Sequence, residues 1–164
     1  MKIIFPMAGL GSRFQKVADT HPEYRRPKPF IDVKGFPMVR WATGSLPFFE
    51  PKNAAFIILK EHNDAHSIEK RLKEIYSDAI TVIIIPTLTR GAAETVLQAK
   101  SFIHPEEELL ISDTDHFFDG KIFADVIVRK DPDTAGVIPV FRARNEGIPK
   151  WSYTLVTPET NYIE

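Results

Sequence analysis

The chain alternates short, mainly apolar runs with segments in which apolar residues recur at helical spacing. The apolar runs are residues 2–7, 54–59, 80–85 and 108–112, and the third is β-branched almost throughout. A strand that is apolar on both faces is typical of a parallel sheet that helices cover on both sides. The sequence therefore predicts an α/β fold, a three-layer α/β/α Rossmann-like sandwich with a mostly parallel mixed sheet.

Helical spacing and turn residues assign the remaining segments. Pro37 is suited to the first position of a helix. The other predicted helices are residues 62–76, 91–103 and 122–128. Further strands are predicted at residues 30–33, 134–141 and 152–156. No repeat or linker interrupts this order, so residues 1–164 are predicted to form a single domain.

The composition fits a globular protein and excludes several classes of protein. The 164 residues are 43% hydrophobic and 26% charged, and the net charge of −1 argues against a general nucleic-acid binder. The chain has no cysteine, which excludes disulfides and thiolate metal sites. No apolar run reaches membrane-spanning length, so we expect a soluble, cytoplasmic protein without a membrane partner.

Unusual polar or glycine-containing stretches follow three of the predicted strands. They are residues 9–13 after the first strand, 87–91 after the third and 113–115 after the fourth. In open α/β sheets, ligands bind beyond the carboxyl ends of the strands, at the point where the strand order reverses. The sequence therefore predicts that these three stretches lie at a ligand site.

The first of these stretches opens a region rich in cations. Six cations stand against three acids from Arg13 to Lys34, which indicates either the binding site of a small anion or a solvated loop. A Walker-type phosphate loop is absent, because no Gly-Lys-Ser/Thr follows four residues after a glycine. The dinucleotide fingerprint requires a third glycine at position 14, where this chain has Phe14.

The motifs that remain resemble those of the sugar-phosphate nucleotidyltransferases. Gly9-x-Gly11-Ser12-Arg13, followed by Pro27-Lys28-Pro29, resembles the signature at the start of that family's catalytic domain. Three further stretches fit the family in the same order: Gly35-x-Pro37-Met38, residues 89–97 and residues 109–115. The resemblance implies that the chain transfers a nucleoside monophosphate from a nucleoside triphosphate to a sugar 1-phosphate or a related phosphomonoester, with release of pyrophosphate.

The resemblance also implies roles for the residues around the triphosphate. Arg13 would grip the β- and γ-phosphates, because its planar fork suits two oxygens at once, and Lys28 would reach the α-phosphate. These two are the predicted catalytic residues. The triphosphate would be cradled by Ala8, Gly9, Gly11 and Ser12. Taken alone, the two glycines are equally typical of an ordinary tight turn, and Lys28 of a solvent-exposed lysine.

The resemblance further implies a base site and a magnesium site. Thr87, Gly91 and Ala92 would contact the base, although Gly91 is also suited to cap a helix. Asp115 is the predicted Mg²⁺ ligand, since carboxylate oxygens suit this cation. Asp113 is the second candidate ligand. If Asp115 alone binds the metal, Asp113 would contact the nucleotide. The identity of the base, of the sugar or phosphomonoester, and of a second metal ligand stays open.

Several other features receive structural interpretations. His62 and His66 are spaced four apart but lack the flanking glutamate of a zinc motif, so we interpret them as a surface pair. Trp41 and Trp151 are expected in the core or at its edge. Residues 161–164, at the end of the given sequence, are also predicted to belong to a strand, and relatives continue there with a glutamate-lysine pair. We therefore expect an incomplete catalytic domain, with low activity of its own or homo-oligomerisation through an exposed sheet edge.

Two other functions remain open. Asp113-Thr114-Asp115 is similar to the Asp-x-Asp metal motif of glycosyltransferases that use nucleotide-sugars, but such enzymes do not need the Gly-x-Gly-Ser-Arg turn. A non-catalytic nucleotide-binding module is the other alternative. Pyrophosphate release from a nucleoside triphosphate distinguishes a nucleotidyltransferase from both.

Overall fold

A computed structural model describes residues 1–141 and 154–157. It divides the chain into two compact units, Met1–Lys130 and Asp131–Glu164. The larger unit contains a four-stranded sheet, a separate two-stranded hairpin and the helices. None of the helices among the described residues is both long and apolar enough to cross a membrane.

The central sheet is built from four of the apolar runs that the sequence predicts as strands. Its members are β1 (Lys2–Pro6), β4 (Ala54–Leu59), β5 (Thr81–Ile85) and β6 (Leu109–Ile111). They are all parallel, in the order β5-β4-β1-β6. β1 is central, because Ile3 is paired with Ala54 on one side and with Leu110 on the other.

Helices cover both faces of this sheet. The elements are α1 (Ser12–Gln15), α2 (Met38–Ser45), α3 (Lys60–His66), α4 (Ile68–Tyr76), α5 (Ala92–Leu97) and α6 (Gly120–Arg129). Ile3 and Phe5 pack on one face with residues of α2 and α4, whereas Ile4 packs on the other face beside α5. This period-two alternation confirms the predicted three-layer α/β/α architecture with a mostly parallel sheet.

Aromatic rings fill the face that α2 and α4 cover. Phe5 stacks on Phe56 at 4.6 Å between ring centroids, and Phe56 stacks on Tyr76 at 5.3 Å. Burial raises the pKa of Tyr76 to about 12, although a hydrogen bond to Thr43 and the charge of Arg40 act in the opposite direction. Its hydroxyl lies 2.9 Å from the Thr43 hydroxyl and donates to the Val39 carbonyl, so this buried polar group is satisfied.

A tight hairpin precedes α2. β2 (Asp32–Val33) pairs antiparallel with β3 (Phe36–Pro37), and both turn residues, Lys34 and Gly35, have positive φ. The Asp32 carboxylate accepts a hydrogen bond from the Gly35 N–H at 2.9 Å, which stabilises the turn. The predicted extended segment at 30–33 is therefore confirmed in its second half. Pro37 precedes α2 by one residue instead of occupying its first turn.

Two predicted helices are interrupted. The predicted helix 62–76 is two helices, because Ser67 adopts a left-handed conformation and the Asn63 side chain caps the Glu69 N–H at 2.9 Å. The predicted helix 91–103 ends its α-helical part at Leu97, and a 3₁₀ turn follows at Lys100–Phe102. Asparagine and serine favour a break such as the one at Ser67, because their side chains compete for backbone groups.

The strand predictions in the smaller unit are not supported. Residues 134–141 form no strand, and Pro139 removes one backbone donor from the segment. A β-rich sequence forms a strand only when a partner strand supplies the hydrogen bonds. Residues 152 and 153 of the predicted strand 152–156 lie outside the described residues, and 154–157 contain only an isolated bridge position at Val156.

Two glycines provide a matched test of the packing between α2 and α6. A methyl group on Gly120 would lie 2.1 Å from the Ser45 carbonyl oxygen, whereas one on Gly44 would meet no atom within 4 Å. We expect Gly120→Ala to lower the free energy of unfolding by about 1–3 kcal/mol, because the backbone must move to relieve the overlap. Gly44→Ala is expected to raise it by up to about 1 kcal/mol through helix propensity.

Urea denaturation measures both changes in free energy. Equal effects of the two substitutions would contradict the close contact between the start of α6 and the end of α2.

Candidate functional site

A cleft of about 260 Å³ opens where β1 and β6 end, at the carboxyl edge of the sheet. It is lined by seven residues between Pro6 and Phe14, by Lys28 and Pro29, and by residues 113–115. Because β1 and β6 are adjacent and parallel, the segments that follow them face each other across this cleft. The structure thus brings Gly9, Gly11, Ser12, Arg13, Lys28, Asp113 and Asp115 together in one place.

Gly11 shapes the turn between β1 and α1. Its backbone is left-handed, with φ 63° and ψ 27°, a conformation that favours glycine. Its carbonyl accepts hydrogen bonds from the N–H groups of Phe14 at 2.9 Å and Gln15 at 3.3 Å. A methyl group on Gly11 would lie 3.5 Å from the Lys28 Cβ, so this turn packs directly on Lys28.

The turn presents backbone donors. Within residues 1–141 and 154–157, the N–H groups of residues 9–13 donate to no other group of the protein. Successive unpaired N–H groups in a turn form a concave site for anions. The Arg13 side chain belongs to the same wall of the cleft and forms no ion pair with the described carboxylates. This wall is therefore suited to a phosphate chain.

Lys28 lies inside the cleft instead of in bulk solvent. Its ammonium group forms an ion pair with the Asp115 carboxylate, and the two side chains are 29% and 28% exposed. The same ammonium lies 5.7 Å from the centre of the Phe14 ring, a favourable cation–π distance. Phe30, two residues after Lys28, is buried in the core and holds the lysine segment against the sheet.

The acidic wall follows β6. The Ser112 N–H donates to the Ile4 carbonyl at 3.0 Å and thereby extends the β1–β6 pairing beyond the last strand residue. Thr114 is buried, and Asp113 and Asp115 stand on either side of it. The Asp113 carboxylate lies 3.9 Å from Nδ1 of His116. One potential ligand atom from each of Asp113, Asp115 and His116 falls within 4.8 Å of the others.

These donors fit a hard divalent cation in part. Two carboxylates that converge on one cleft are the oxygen ligands that Mg²⁺ prefers, and the imidazole of His116 is not. Lys28 shares the Asp115 carboxylate, so a cation and this ammonium would compete for the same oxygen atoms. Asp113 and Asp115 are therefore both compatible with the predicted metal role.

The other predicted site residues lie apart from the cleft wall. Thr87, Gly91 and Ala92 are exposed and follow β5, which β4 separates from β1. Gly91 has φ 173°, so its conformation is open to any residue, and it occupies the N-cap of α5. Its carbonyl accepts hydrogen bonds from the Thr89 and Thr95 hydroxyls. Ala8 is buried in the core beneath α5.

The cleft also contains residues that sequence reasoning did not assign to the site: Pro6, Met7, Phe14, Pro29 and Thr114. Phe14 contributes the ring that faces the Lys28 ammonium, and it packs edge to face on Tyr24 at 5.3 Å. Pro29 is buried and lines the cleft beside Lys28. The available signal was local: an aromatic residue directly after the glycine turn and a lysine held between two prolines.

The histidine pair lies on α3, directly after β4. Burial lowers the pKa of His62, the neighbouring Glu61 raises it, and His66 lowers it. A lowered pKa keeps this imidazole neutral near pH 7. Among the described residues no carboxylate joins the pair to complete a three-residue metal cluster. Trp151 lies outside the described residues.

The two glycines of the turn allow a matched test of its geometry. Gly11→Ala forces a side chain into the left-handed region, and we expect the free energy of unfolding to fall by about 1–2 kcal/mol. Gly9 has no positive φ and open space at its Cβ, so Gly9→Ala is expected to change it by less than about 0.5 kcal/mol. Chemical denaturation compares the two variants, and a larger loss for Gly9→Ala would contradict the turn conformation.

Comparisons with known proteins support the fold. No family model matches the chain, and no curated protein matches it either. Among solved structures, the chain is similar to a nucleoside-diphosphate-sugar pyrophosphorylase from Vibrio cholerae RC9, with a TM-score of 0.54 and 22% sequence identity. The match covers 72% of this chain and 49% of that structure, so the chain corresponds to about half of its length. At this identity the similarity concerns the fold alone.

Proposed function

We propose that the chain carries the nucleotide-binding part of a nucleotidyltransferase. The enzyme would transfer a nucleoside monophosphate from a nucleoside triphosphate to a sugar 1-phosphate or a similar phosphomonoester. The observation that carries this proposal is the convergence of the glycine turn, Lys28 and two aspartates on one cleft. The similarity in fold to a pyrophosphorylase supports the same reaction class.

The charges of the cleft suit a triphosphate. One wall offers backbone N–H donors and Arg13, and Lys28 stands between this wall and Asp115. A guanidinium can bind two phosphate oxygens at once, which favours Arg13 for the β- and γ-phosphates. Lys28 would neutralise charge at the α-phosphate, where negative charge develops during transfer.

The chemistry needs positioning more than proton transfer. A phosphate oxygen of the acceptor would attack the α-phosphorus and form the new P–O bond. The bond from that phosphorus to the bridging oxygen would break, and its electron pair would leave with pyrophosphate. The acceptor is already ionised near neutral pH, since the second pKa of a phosphomonoester is about 6, so no general base is required. Holding two anions in line is therefore the main task of the cleft.

Magnesium would be held by Asp115, with Asp113 as a second carboxylate. When bound, the cation would supply further neutralisation of the phosphate charge. Before substrate binds, the Lys28 ammonium pairs with the Asp115 carboxylate, so neither charge is left unpaired in a partly buried site. Phosphate oxygens of the substrate would then compete with Asp115 for this ammonium.

A glycosyltransferase acting on a nucleotide-sugar is the second candidate. The observation in its favour is that Asp113 and Asp115 both line the cleft, as an Asp-x-Asp metal motif requires. Such an enzyme has no need for the backbone N–H donors and Arg13 on the opposite wall of the cleft. Incubation with nucleoside triphosphates, sugar 1-phosphates and Mg²⁺ separates the two functions, because pyrophosphate forms only in the nucleotidyltransferase reaction.

Replacement of Lys28 tests the proposed role at the α-phosphate. We expect Lys28→Met to lower pyrophosphate release by about 100- to 1,000-fold, because a preorganised charge at the transition state is lost. Lys16→Met is the matched control: Lys16 lies in the same loop region, is exposed and does not line the cleft. Thermal-shift measurements with a panel of nucleoside triphosphates report whether each variant still binds nucleotide. Equal activity of the two variants would rule out a catalytic Lys28.

Replacement of the aspartates tests the metal site. We expect Asp115→Asn to raise the Mg²⁺ concentration for half-maximal pyrophosphate release by about tenfold or more, because one charged oxygen ligand is lost. Asp113→Asn reports whether the second carboxylate contributes. Loss of the partly exposed ion pair itself should cost about 1 kcal/mol or less, so the variant should remain folded. An unchanged Mg²⁺ dependence in both variants would exclude these residues as ligands.

A further inference from the structure

Phe14 contributes an aromatic ring to the cleft at the position where a dinucleotide fingerprint would need glycine. The Lys28 ammonium lies over the face of this ring, 5.7 Å from its centroid. The same ammonium forms an ion pair with the Asp115 carboxylate. Lys28 therefore has one partner with a formal negative charge and one partner that is an uncharged π face.

The Phe14 ring is oriented by residues on both sides of it in sequence. Its backbone N–H donates to the Gly11 carbonyl at 2.9 Å, which ties it to the left-handed turn after β1. The Tyr24 ring, from the 3₁₀ turn Pro22–Arg25, packs on it edge to face at 5.3 Å. Phe14 and Tyr24 are both partly buried. The ring that faces the ammonium is thus held in place before any ligand binds.

The two partners of the ammonium differ in what they leave for a phosphate. The Asp115 carboxylate neutralises the ammonium charge and is also the proposed ligand of Mg²⁺, so it cannot fill both roles fully at once. An aromatic face attracts a cation through its quadrupole and carries no net charge, so the ammonium keeps its positive charge for a phosphate. Without the ring, a lysine released from Asp115 would regain its rotamer freedom and lose it again on binding phosphate.

We propose that Phe14 is a positioning residue, which holds the Lys28 ammonium at the phosphate site when Mg²⁺ engages Asp115. This inference rests on the proposed nucleotidyltransferase function. The attraction between the ring and the ammonium does not depend on the charge of Asp115. The contact should therefore persist in a chain that lacks this carboxylate.

Carbon-13 labelling of the lysines allows the contact to be measured by NMR without any catalytic reaction. A ring face shields the protons above it, so we expect the ε-methylene protons of Lys28 to resonate upfield of those of the exposed lysines. Lys28→Met identifies the signal by its loss. The upfield shift should persist in Asp115→Asn and disappear when Phe14→Leu is added. Equal Lys28 shifts in these two chains would show that Phe14 does not hold the ammonium.

Inorganic tripolyphosphate with Mg²⁺ is the binding probe, because it needs no knowledge of the base. Phe14→Leu keeps an apolar side chain but removes the π face, and we expect it to weaken tripolyphosphate binding in calorimetry by about three- to tenfold. Phe14→Tyr should bind within about twofold of the unsubstituted chain. Phe36→Leu is the matched control, because the Phe36 ring also faces a cation, Arg40 at 4.3 Å, but lies outside the cleft lining.

Two measurements separate a cation–π role from a general effect on the loop. Progressive fluorination of the Phe14 ring weakens its quadrupole with little change in shape, so the affinity for tripolyphosphate should fall with each added fluorine. In the Lys28→Met background, Phe14→Leu should change this affinity by less than about twofold, since the cation that the ring holds is gone. A flat fluorine series, or equal losses with and without Lys28, would overturn the inference.

The outcomes distinguish this inference from the proposed function. If nucleoside triphosphates bind and pyrophosphate release requires Lys28, but Phe14→Leu changes neither the Lys28 signal nor the affinity, the positioning role is wrong and the proposed function stands. If the ring holds the ammonium but neither tripolyphosphate nor any nucleoside triphosphate binds, the proposed function fails, and the positioning role fails with it.

Discussion

The parallel pairing of β1 with β6 is the constraint on which the candidate site depends. It places the carboxyl ends of both strands at one edge of the sheet, so the segments that follow them must meet. Lys28 and Asp115 are 87 residues apart in sequence, yet their side chains form an ion pair there. Local structure alone cannot bring these two charges together; the sheet does.

The layers around the sheet determine how firmly this edge is held. β1 and β4 are buried on both faces, and the segment after β1 is held by Gly11 on one side and by Phe30 in the core on the other. Between these two points the chain runs through turns and short 3₁₀ segments without a buried helix. Rigid supports with an irregular loop between them are the usual arrangement of a phosphate-binding edge.

Much of the fold and several residues of the candidate cleft could be predicted from the sequence. The strands of the main sheet are short apolar runs, a pattern that identifies them without knowledge of their neighbours. Burial on both faces holds for β1 and β4, but in the edge strand β6 Leu109 and Ile111 are exposed. Gly11, Lys28 and Asp115 were predictable because they follow strands or belong to a recognisable motif. The break at Ser67 and the aromatic contacts of Phe14 were not, because they depend on side-chain partners that only the folded chain supplies.

The position of β1 in the middle of the sheet has a consequence for how the protein is made. β1 is synthesised before both of the strands that pair with it. Its partner β4 is complete only at Leu59, and its partner β6 only at Ile111. Until then, a strand of nearly pure hydrocarbon surface must remain unpaired or find temporary cover. Such non-local pairing slows folding and exposes the nascent chain to aggregation.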